Sequence, residues 1–515
     1  MTDGRPAHPT SDILDGSRSS PDDPAAERRR VVVIGSGMAG LATALSLKNS
    51  GRQVVLLERD DAPPAIAPEE AFETWKRPGV PQLHHTHIFL SRLRTILRDD
   101  HPEVLAELEA AGVQRSEIDQ ILPTSLIGRY RPEPDDDDLL HLWGRRATVE
   151  YVLRRHVGRL PHVSVVQGAR VEGVEVTSKG GRIRVTGVRY RQAGVDAVIA
   201  AAVIVDASGA RSKMPEWLRA RGVEIVTDAV SSACAYYCRH FLQREPSTEP
   251  PRRGTGANID YLIYGIFFAE HGSFSIAFAC PEMEEQLTDA VKRPEGFDHL
   301  CSQIPALSKW TSRSEPISRV LGGASLSNRW HRYPETRERT VLGLFPVGDS
   351  HIQTNPIYGR GCSMAFVQAK ALAETLAVEG APEEHASRYF ARVRTLLKPH
   401  FDFSRAADRA FLARARMTRG DPVSFAERLM AYLYEEMFAP IIEVDQRLAR
   451  EWVKASQMRE VSPPWVGLAL AMRMFVLFLV LKLTGKLKKM PSFGPSRAAM
   501  LASLPSPTER AAADS

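Results

Sequence analysis

The chain has 515 residues, 43% of them hydrophobic and 25% charged, an ordinary composition for a folded protein and a length too great for one simple core. Its formal net charge of +5, from 67 basic and 62 acidic residues, is too small to argue for nucleic acid, and no Lys/Arg stripe interleaved with aromatics appears. The five cysteines, Cys234, Cys238, Cys280, Cys301 and Cys362, form no CxxC pair and fit a reducing cytosol better than a disulfide framework.

Residues 1–29, rich in Pro, Asp, Ser and Ala, are expected to form a disordered tail. Arg28, Arg29 and Arg30 precede an apolar run of only four residues, 31–34. That is too short for an export signal but right for a buried parallel strand. A glycine turn follows, then a helix over about 38–49 closed by Gly51, then a strand over 54–57. Five prolines make 60–82 a loop. Helices are expected over 87–97 and 103–111, and the acidic run 135–138 reads as a solvated turn. A helix over 148–157 leads to strands over 163–166, 171–176, 183–190 and 198–205. Further strands over 261–268 and 274–279 and a helix over 283–291 fill the middle. A buried strand over 341–347 and an Ala/Leu-rich helix over 363–377 follow, and 383–460 is helical by period.

Residues 465–483 form an apolar block, with Lys486, Lys488 and Lys489 after it. Its length approaches a membrane span, but Arg473 sits at its middle, where a charge is costly in lipid. Three readings stand: a helix packed within the fold, a helix lying flat on an anionic membrane, and a true span. Residues 491–515 are expected to be a second disordered tail.

The chemistry begins at Gly35-Ser36-Gly37-Met38-Ala39-Gly40, a GxGxxG between strand and helix. Gly35 allows the tight turn, Gly37 lets backbone approach a pyrophosphate, and Gly40 lets helix and sheet pack closely. The pyrophosphate sits on the positive helix N-terminus, against the N–H groups of Met38 and Ala39. Glu58, with Arg59 beside it, ends the second strand about twenty residues on, where a carboxylate can accept ribose hydroxyls. A second half-site lies far along the chain. Gly348-Asp349 follows a buried strand, and Pro356, Tyr358, Gly359, Gly361 and Cys362 lead into a helix. Asp349 suits a ribityl chain, and the helix N-terminus suits the carbonyl of a reduced flavin. Two half-sites so far apart suit FAD, and no second GxGxxG stands in a strand–helix context.

These motifs resemble those of the FAD-dependent monooxygenases with the para-hydroxybenzoate hydroxylase fold. The resemblance covers most of residues 30–380 and includes the segment from Asp206 through Ser208 and Gly209 to Ser212. More narrowly, Arg77-Pro78-Gly79-Val80-Pro81-Gln82, followed by His85 and His87, is similar to a loop of bacterial flavin epoxidases that act on polyether-type polyketide alkenes. The resemblance implies FAD contacts at Gln82 and Arg146 and at the backbone near Val171, with Asp206 and Gly209 in the middle motif. It also implies an α/β fold: a Rossmann-like FAD-binding domain (GR2-type) with an inserted mixed β-sheet substrate domain and a C-terminal helical region. The corresponding boundaries are 30–215 and 336–380 for the FAD domain, 216–335 for the substrate domain, and 381–490 for the helical region. Where the aromatic hydroxylases carry an Asp directly before the glycine of the middle motif, this chain has Ser208. That weakens direct use of NADPH or NADH and brings in a partner flavin reductase.

The expected activity is transfer of one oxygen from O2 through a C4a-hydroperoxyflavin to a lipophilic small molecule, as an epoxidation of an isoprenoid or polyketide alkene. No side-chain nucleophile is needed, and Tyr358, His85 and His87 are the candidates for groups at the reacting centre. His84, His85 and His87 lack tetrahedral metal spacing, so no metal is assigned. The rivals are an aromatic hydroxylase, a prenyl-chain reductase or desaturase that uses no O2, and a membrane-surface protein whose FAD is structural or sensory. A flavin halogenase is disfavoured by the missing WxWxIP signature. A cytoplasmic location is expected, with peripheral contact to the membrane face.

Overall fold

Short helix α1 (Pro24–Arg29) leads into strand β1 (Arg30–Ile34), helix α2 (Met38–Ser46) and strand β2 (Gln53–Leu57). After a long loop come helices α3 (Ser91–Asp100) and α4 (Arg146–Gly158) and strand β3 (Val163–Val166). An antiparallel meander of β4 (Arg170–Lys179), β5 (Arg182–Gln192) and β6 (Val195–Ala200) precedes strand β7 (Val203–Asp206). The chain then leaves through β8 (Val226–Ser231), β9 (Cys234–Gln243), β10 (Ile263–Phe268), β11 (Ser273–Pro281) and β12 (Ser327–Arg332). It returns with β13 (Leu344–Pro346) and helix α5 (Gly361–Leu376). The helices that follow include α6 (Pro382–Arg419), α7 (Phe425–Tyr432), α8 (Gln446–Ser456), α9 (Leu468–Leu483) and α10 (Arg497–Ser503). The computed structural model describes residues 24–504 apart from 65, 180, 246–255, 324–325, 337–338, 461–466 and 489–491.

Five parallel strands line up in the order β13–β7–β1–β2–β3. A strand covered on both faces must be apolar throughout, and Val31, Val32 and Val33 are fully buried. The register sets Ile34 beside Leu57 on one side and Asp206 on the other. Gly35, Glu58 and Asp206 therefore gather at one edge, the carboxyl end of the sheet, where open α/β folds bind ligands. Helix α5 packs across α2 over the sheet, so both helices begin at that same edge.

The inserted unit is a six-stranded sheet built on β9, β10 and β11. Every pairing in it is antiparallel, which corrects the expectation of a mixed sheet. Its core is aromatic, with Phe274, Phe278 and Phe297 fully buried. A smaller sheet of β8, β12 and the short strand Ile352–Gln353 ties this unit to the 354–361 loop, the candidate flavin loop.

Several expectations shift. The helix expected over 87–97 begins only at Ser91, because Phe89 is taken up in a bridge to Leu142. The expected first tail includes α1, whose Glu27 carbonyl accepts from Ala202 N–H at 3.2 Å; residues 1–23 lie outside the described residues. The second expected tail, 491–515, includes α10. Met500 is buried in the aromatic core and Arg497 pairs with Glu284 at 2.8 Å; the rest, 505–515, lies outside the described residues. The acidic run is no free turn either. Asp137 accepts two bonds from Arg94, at 2.8 and 3.0 Å, Asp138 pairs with Arg459 at 2.6 Å, and Arg450 is buried against Asp135 and Asp136. Like-charged neighbours persist there because arginines from α3 and from the C-terminal region compensate them. Among the described residues no helix is long and apolar enough to cross a membrane.

Candidate cofactor site

The turn after β1 is shaped by backbone contact. Gly35 has φ +96°, and a Cβ there would lie 2.8 Å from the Ala207 carbonyl oxygen. A Cβ on Gly40 would lie 2.0 Å from the Gly35 oxygen, so only glycine lets α2 start so close to the strand. Gly37 faces open space. The N-cap of α2 provides no side-chain bond, so the first N–H groups, those of Met38, Ala39 and Gly40, are left for a ligand. An anion is the natural partner of such a helix end.

Glu58 stands beside this turn. Its carboxylate accepts from Ser36 N (3.0 Å) and Ser36 Oγ (2.6 Å), from Asp60 N (2.9 Å) and from Arg77. Burial alone would push the Glu58 carboxyl up. The Arg77 guanidinium, these hydrogen bonds and Arg154 outweigh it and hold the group below its usual range, as an anion. Arg77 itself is buried among Glu58, Asp60 and Glu150. A cleft of about 480 Å³, lined by Ser36, Leu56, Pro63, Arg154, Val165 and Gln167, opens next to these contacts. The Glu58 carbonyl accepts from Ala169 N–H at 2.8 Å, which brings the start of β4, and with it Val171, to the same corner. Arg59 lies at the rim, half exposed and close to Asp60.

The second pole forms where β13 ends. Asp349 sits in a one-turn 3₁₀ segment, Gly348–Ser350, with Gly348 packed against Ala39. Burial pushes the Asp349 carboxyl up, opposed by Arg146 and Arg329. The carboxylate is only partly buried and receives no hydrogen bond from any described residue, so its oxygens are open to a ligand hydroxyl. Asp206 differs. Its oxygens are taken by Ser208 N (3.1 Å), Ser208 Oγ and Ser212 Oγ, so it braces its own turn, in which Gly209 faces open space. Pro356 and Tyr358 form a 3₁₀ turn capped by Asn355. Gly359 then lies against Ile88, and α5 begins at Gly361 with no side-chain cap. Cys362, buried, lies close enough to Arg146 and Asp349 to feel both charges.

The loop of 77–90 runs between the two poles and under the antiparallel sheet. His87 Nε2 meets Arg146 Nη1 at 3.1 Å, and Arg146 Nε donates to Glu150 at 3.2 Å. His85 stacks on Tyr236 with centroids 5.8 Å apart. Gln82 is half buried, and its carbonyl accepts from His85 N–H at 3.1 Å. Burial and the nearby Arg146 push His85 down to about 4 and His87 well below its ordinary value. Both imidazoles are therefore neutral near pH 7. Among the described residues no group of three or more His, Cys, Asp or Glu side chains is placed to hold a metal ion.

Sequence reasoning missed Arg77, Glu150 and Arg154 as a buried charge cluster, although alternating acids and arginines over 58–60, 77 and 150–154 carried a signal. It also missed Asp408. This buried residue on α6 accepts from Tyr358 Oη (2.8 Å), Asn355 Nδ2 (2.8 Å) and Asn328 Nδ2 (2.6 Å). It thereby fastens the flavin loop to β12 and to the C-terminal helices. No local pattern around Asp408 gives this away.

Residues 30–67 match the sequence model of the FAD dependent oxidoreductase family. No curated protein sequence matches the chain. Among solved structures, a flavoprotein/dehydrogenase from Cytophaga hutchinsonii is similar with a TM-score of 0.59 and 14% identity, covering 89% of this chain and 100% of that one. The flavin-dependent brominase Bmp2 gives 0.57 and 16%, covering 88% and 99%. The p-nitrophenol 4-monooxygenase PnpA from Pseudomonas putida gives 0.55 and 16%, covering 84% and 99%. At these identities the likeness is one of fold: the chain has the fold shared by FAD-dependent monooxygenases and flavin-dependent halogenases, with an FAD-dependent oxidoreductase signature over its first βαβ unit.

Proposed function

We propose that this chain is an FAD-dependent monooxygenase that places one oxygen atom from O2 on an apolar organic substrate, as an epoxidation of an isoprenoid or polyketide alkene. The observation that carries the alkene reading is the protonation state of the groups at the flavin loop. His85 and His87 are held down, and Tyr236 and Tyr358 are held well above their ordinary value, all chiefly by burial. Both imidazoles, held low, are weak bases, and both tyrosines keep their protons. Asp408, behind Tyr358, is taken up by three donors. A phenol needs a base to raise its ring electron density, whereas an isolated alkene needs none.

Bound and reduced FAD supplies the activated oxygen. The chain's own residues do the rest. The uncapped start of α2 holds the pyrophosphate, Asp349 accepts from a ribityl hydroxyl, and Arg146 with the start of α5 favours negative charge beside them. Alkene, O2, NAD(P)H and a proton give epoxide, NAD(P)+ and water. Ser208, in place of an acid, supports delivery of the electrons by a partner flavin reductase rather than by NADPH or NADH binding directly. An alkene of this class partitions into lipid, so this reading has the enzyme working at the cytoplasmic face of a membrane.

Purified protein is expected to be yellow and to release FAD on heating. An oxygen electrode with NAD(P)H, with and without a flavin reductase, and candidate terpenoid alkenes should show oxygen uptake and a product one oxygen heavier. A hydroxylated phenol as the preferred product would move the reading to an aromatic hydroxylase. Reduction of a prenyl chain without oxygen uptake would move it to a reductase, and a colourless protein that takes up no FAD would end it.

A further inference from the structure

Helix α9 packs on the C-terminal helices by one side only. Leu470, Met474, Leu477, Phe478 and Leu481 rest against Phe438, Ile441 and Leu448. Its opposite side is apolar and exposed: Leu468 (80%), Met472 (53%), Phe475, Val476, Leu479, Val480 (50%) and Leu483 (85%). These recur every three or four residues, which places them along one stripe about 24 Å long at 1.5 Å per residue. Such a stripe is far more than scattered surface hydrophobics. Helix α7, which runs on toward the residues that seat α9, adds exposed Phe425 (81%) and Met430.

The charge pattern says what covers the stripe. Between Glu460 and Glu509 the chain has no Asp or Glu, while Lys482, Lys486, Lys488, Lys489, Arg473 and Arg497 fall in that stretch. Arg473 is spent on Asp445, at 2.6 Å, and Arg497 on Glu284. Lys482, Lys486 and Lys488 are exposed at the end of the helix. An apolar stripe bordered by cations and free of anions matches a bilayer with anionic headgroups.

We propose that α9 docks this chain on an anionic membrane surface, lying flat with its exposed stripe among the acyl chains and its lysines at the headgroups. The docking draws nothing from the redox chemistry except a lipophilic substrate, and it is read without turnover, so either reading can fail alone. Arg473 acts here as the pin that fixes α9 to α8's N-cap residue Asp445, which keeps the stripe facing outward.

The test is co-sedimentation of the full chain with vesicles of phosphatidylcholine and phosphatidylglycerol in equal parts, and with vesicles of phosphatidylcholine alone. The protein is expected to pellet with the mixed vesicles at low salt and to be released by higher salt. Each basic residue near an anionic surface is worth roughly fivefold in affinity, so replacing Lys482, Lys486 and Lys488 by Gln together should weaken binding roughly one-hundredfold. Phe475→Asp with Val480→Asp should abolish it, while the melting curve by circular dichroism stays unchanged because both side chains already face water. Protein that stays in the supernatant overturns the proposal, as does binding indifferent to the double variant or to the lipid charge. A concentration-dependent dimer broken by the same double variant, without vesicle binding, would also overturn it and assign the stripe to a second copy of the chain.

Discussion

Arg77 carries more charge contacts than any other side chain near the first βαβ unit. It is buried between three carboxylates, those of Glu58, Asp60 and Glu150. Such an arrangement is held together by mutual compensation, and removing one partner strands the others. Glu58 was legible from the GxGxxG spacing, but its four protein donors were not, because they converge from residues 36, 60 and 77. A Glu58→Ala variant removes one of the three carboxylates on Arg77 and the acceptor that orders Ser36 in the glycine turn, and with them the proposed ribose acceptor. FAD affinity should fall by about one to two orders of magnitude, from the loss of a charged hydrogen-bond partner. Stability should fall by about 3 kcal/mol, toward the low end for a broken buried pair because Asp60 and Glu150 remain. Flavin fluorescence titration and urea denaturation read the two effects separately; if neither moves, the cluster does not do what its geometry implies.

At the scale of elements, the strands and helices of the FAD unit were legible because burial on both faces leaves a continuous apolar run and because glycines punctuate it. Helix α10 was not, since seven residues between proline-rich stretches carry no period. It exists because Tyr261 and Tyr264 donate to the carbonyls of Pro495 and Phe493 at 2.8 and 2.9 Å and because Met500 fills the aromatic core. Removing residues 492–515 should therefore lower the melting temperature and open the inserted sheet to ANS dye, while leaving the parallel sheet intact. Asp408 is a second long-range tie. Asp408→Ala would leave Asn355 and Asn328 as buried donors without an acceptor, at a cost of roughly 1–3 kcal/mol each before relaxation, and would free the partly buried Tyr358 hydroxyl. The flavin loop should loosen. The expected sign is faster trypsin cleavage at Arg360 and weaker FAD retention, and a variant indistinguishable from the parent in both would show that the loop is held from elsewhere.

Over the whole molecule, burial sets a common pH response. His141, His240 and His351 are each pushed down to about 3, and His101 and His85 to about 4, mainly by burial. In the unfolded chain each returns to about 6.5. Between those values the unfolded state binds protons that the folded state refuses, so stability is full above about pH 6.5 and is lost as the pH falls toward 4. Glu58, held low, adds a loss of the same sign as the pH falls through the carboxylate range. The urea midpoint should drop steadily from pH 7 to pH 5, with each deeply buried histidine contributing at most about 2 kcal/mol by pH 5. A flat profile would mean that these imidazoles are protonated in the folded chain. This response was hidden in the sequence, where His101, His141, His240 and His351 stand alone and only the fold surrounds them with apolar side chains.

The seat of α10 also fixes an order in time. Its partners in the inserted sheet, Tyr261, Tyr264 and Glu284, leave the ribosome more than two hundred residues before Phe493 and Arg497 do. At roughly 5–20 residues per second that interval is about 10–40 s. Throughout it the inserted sheet must wait with part of its aromatic core uncovered. An element made late thus covers a core made early, and truncated or slowly translated chains of this protein are the ones a chaperone would be called on to shield.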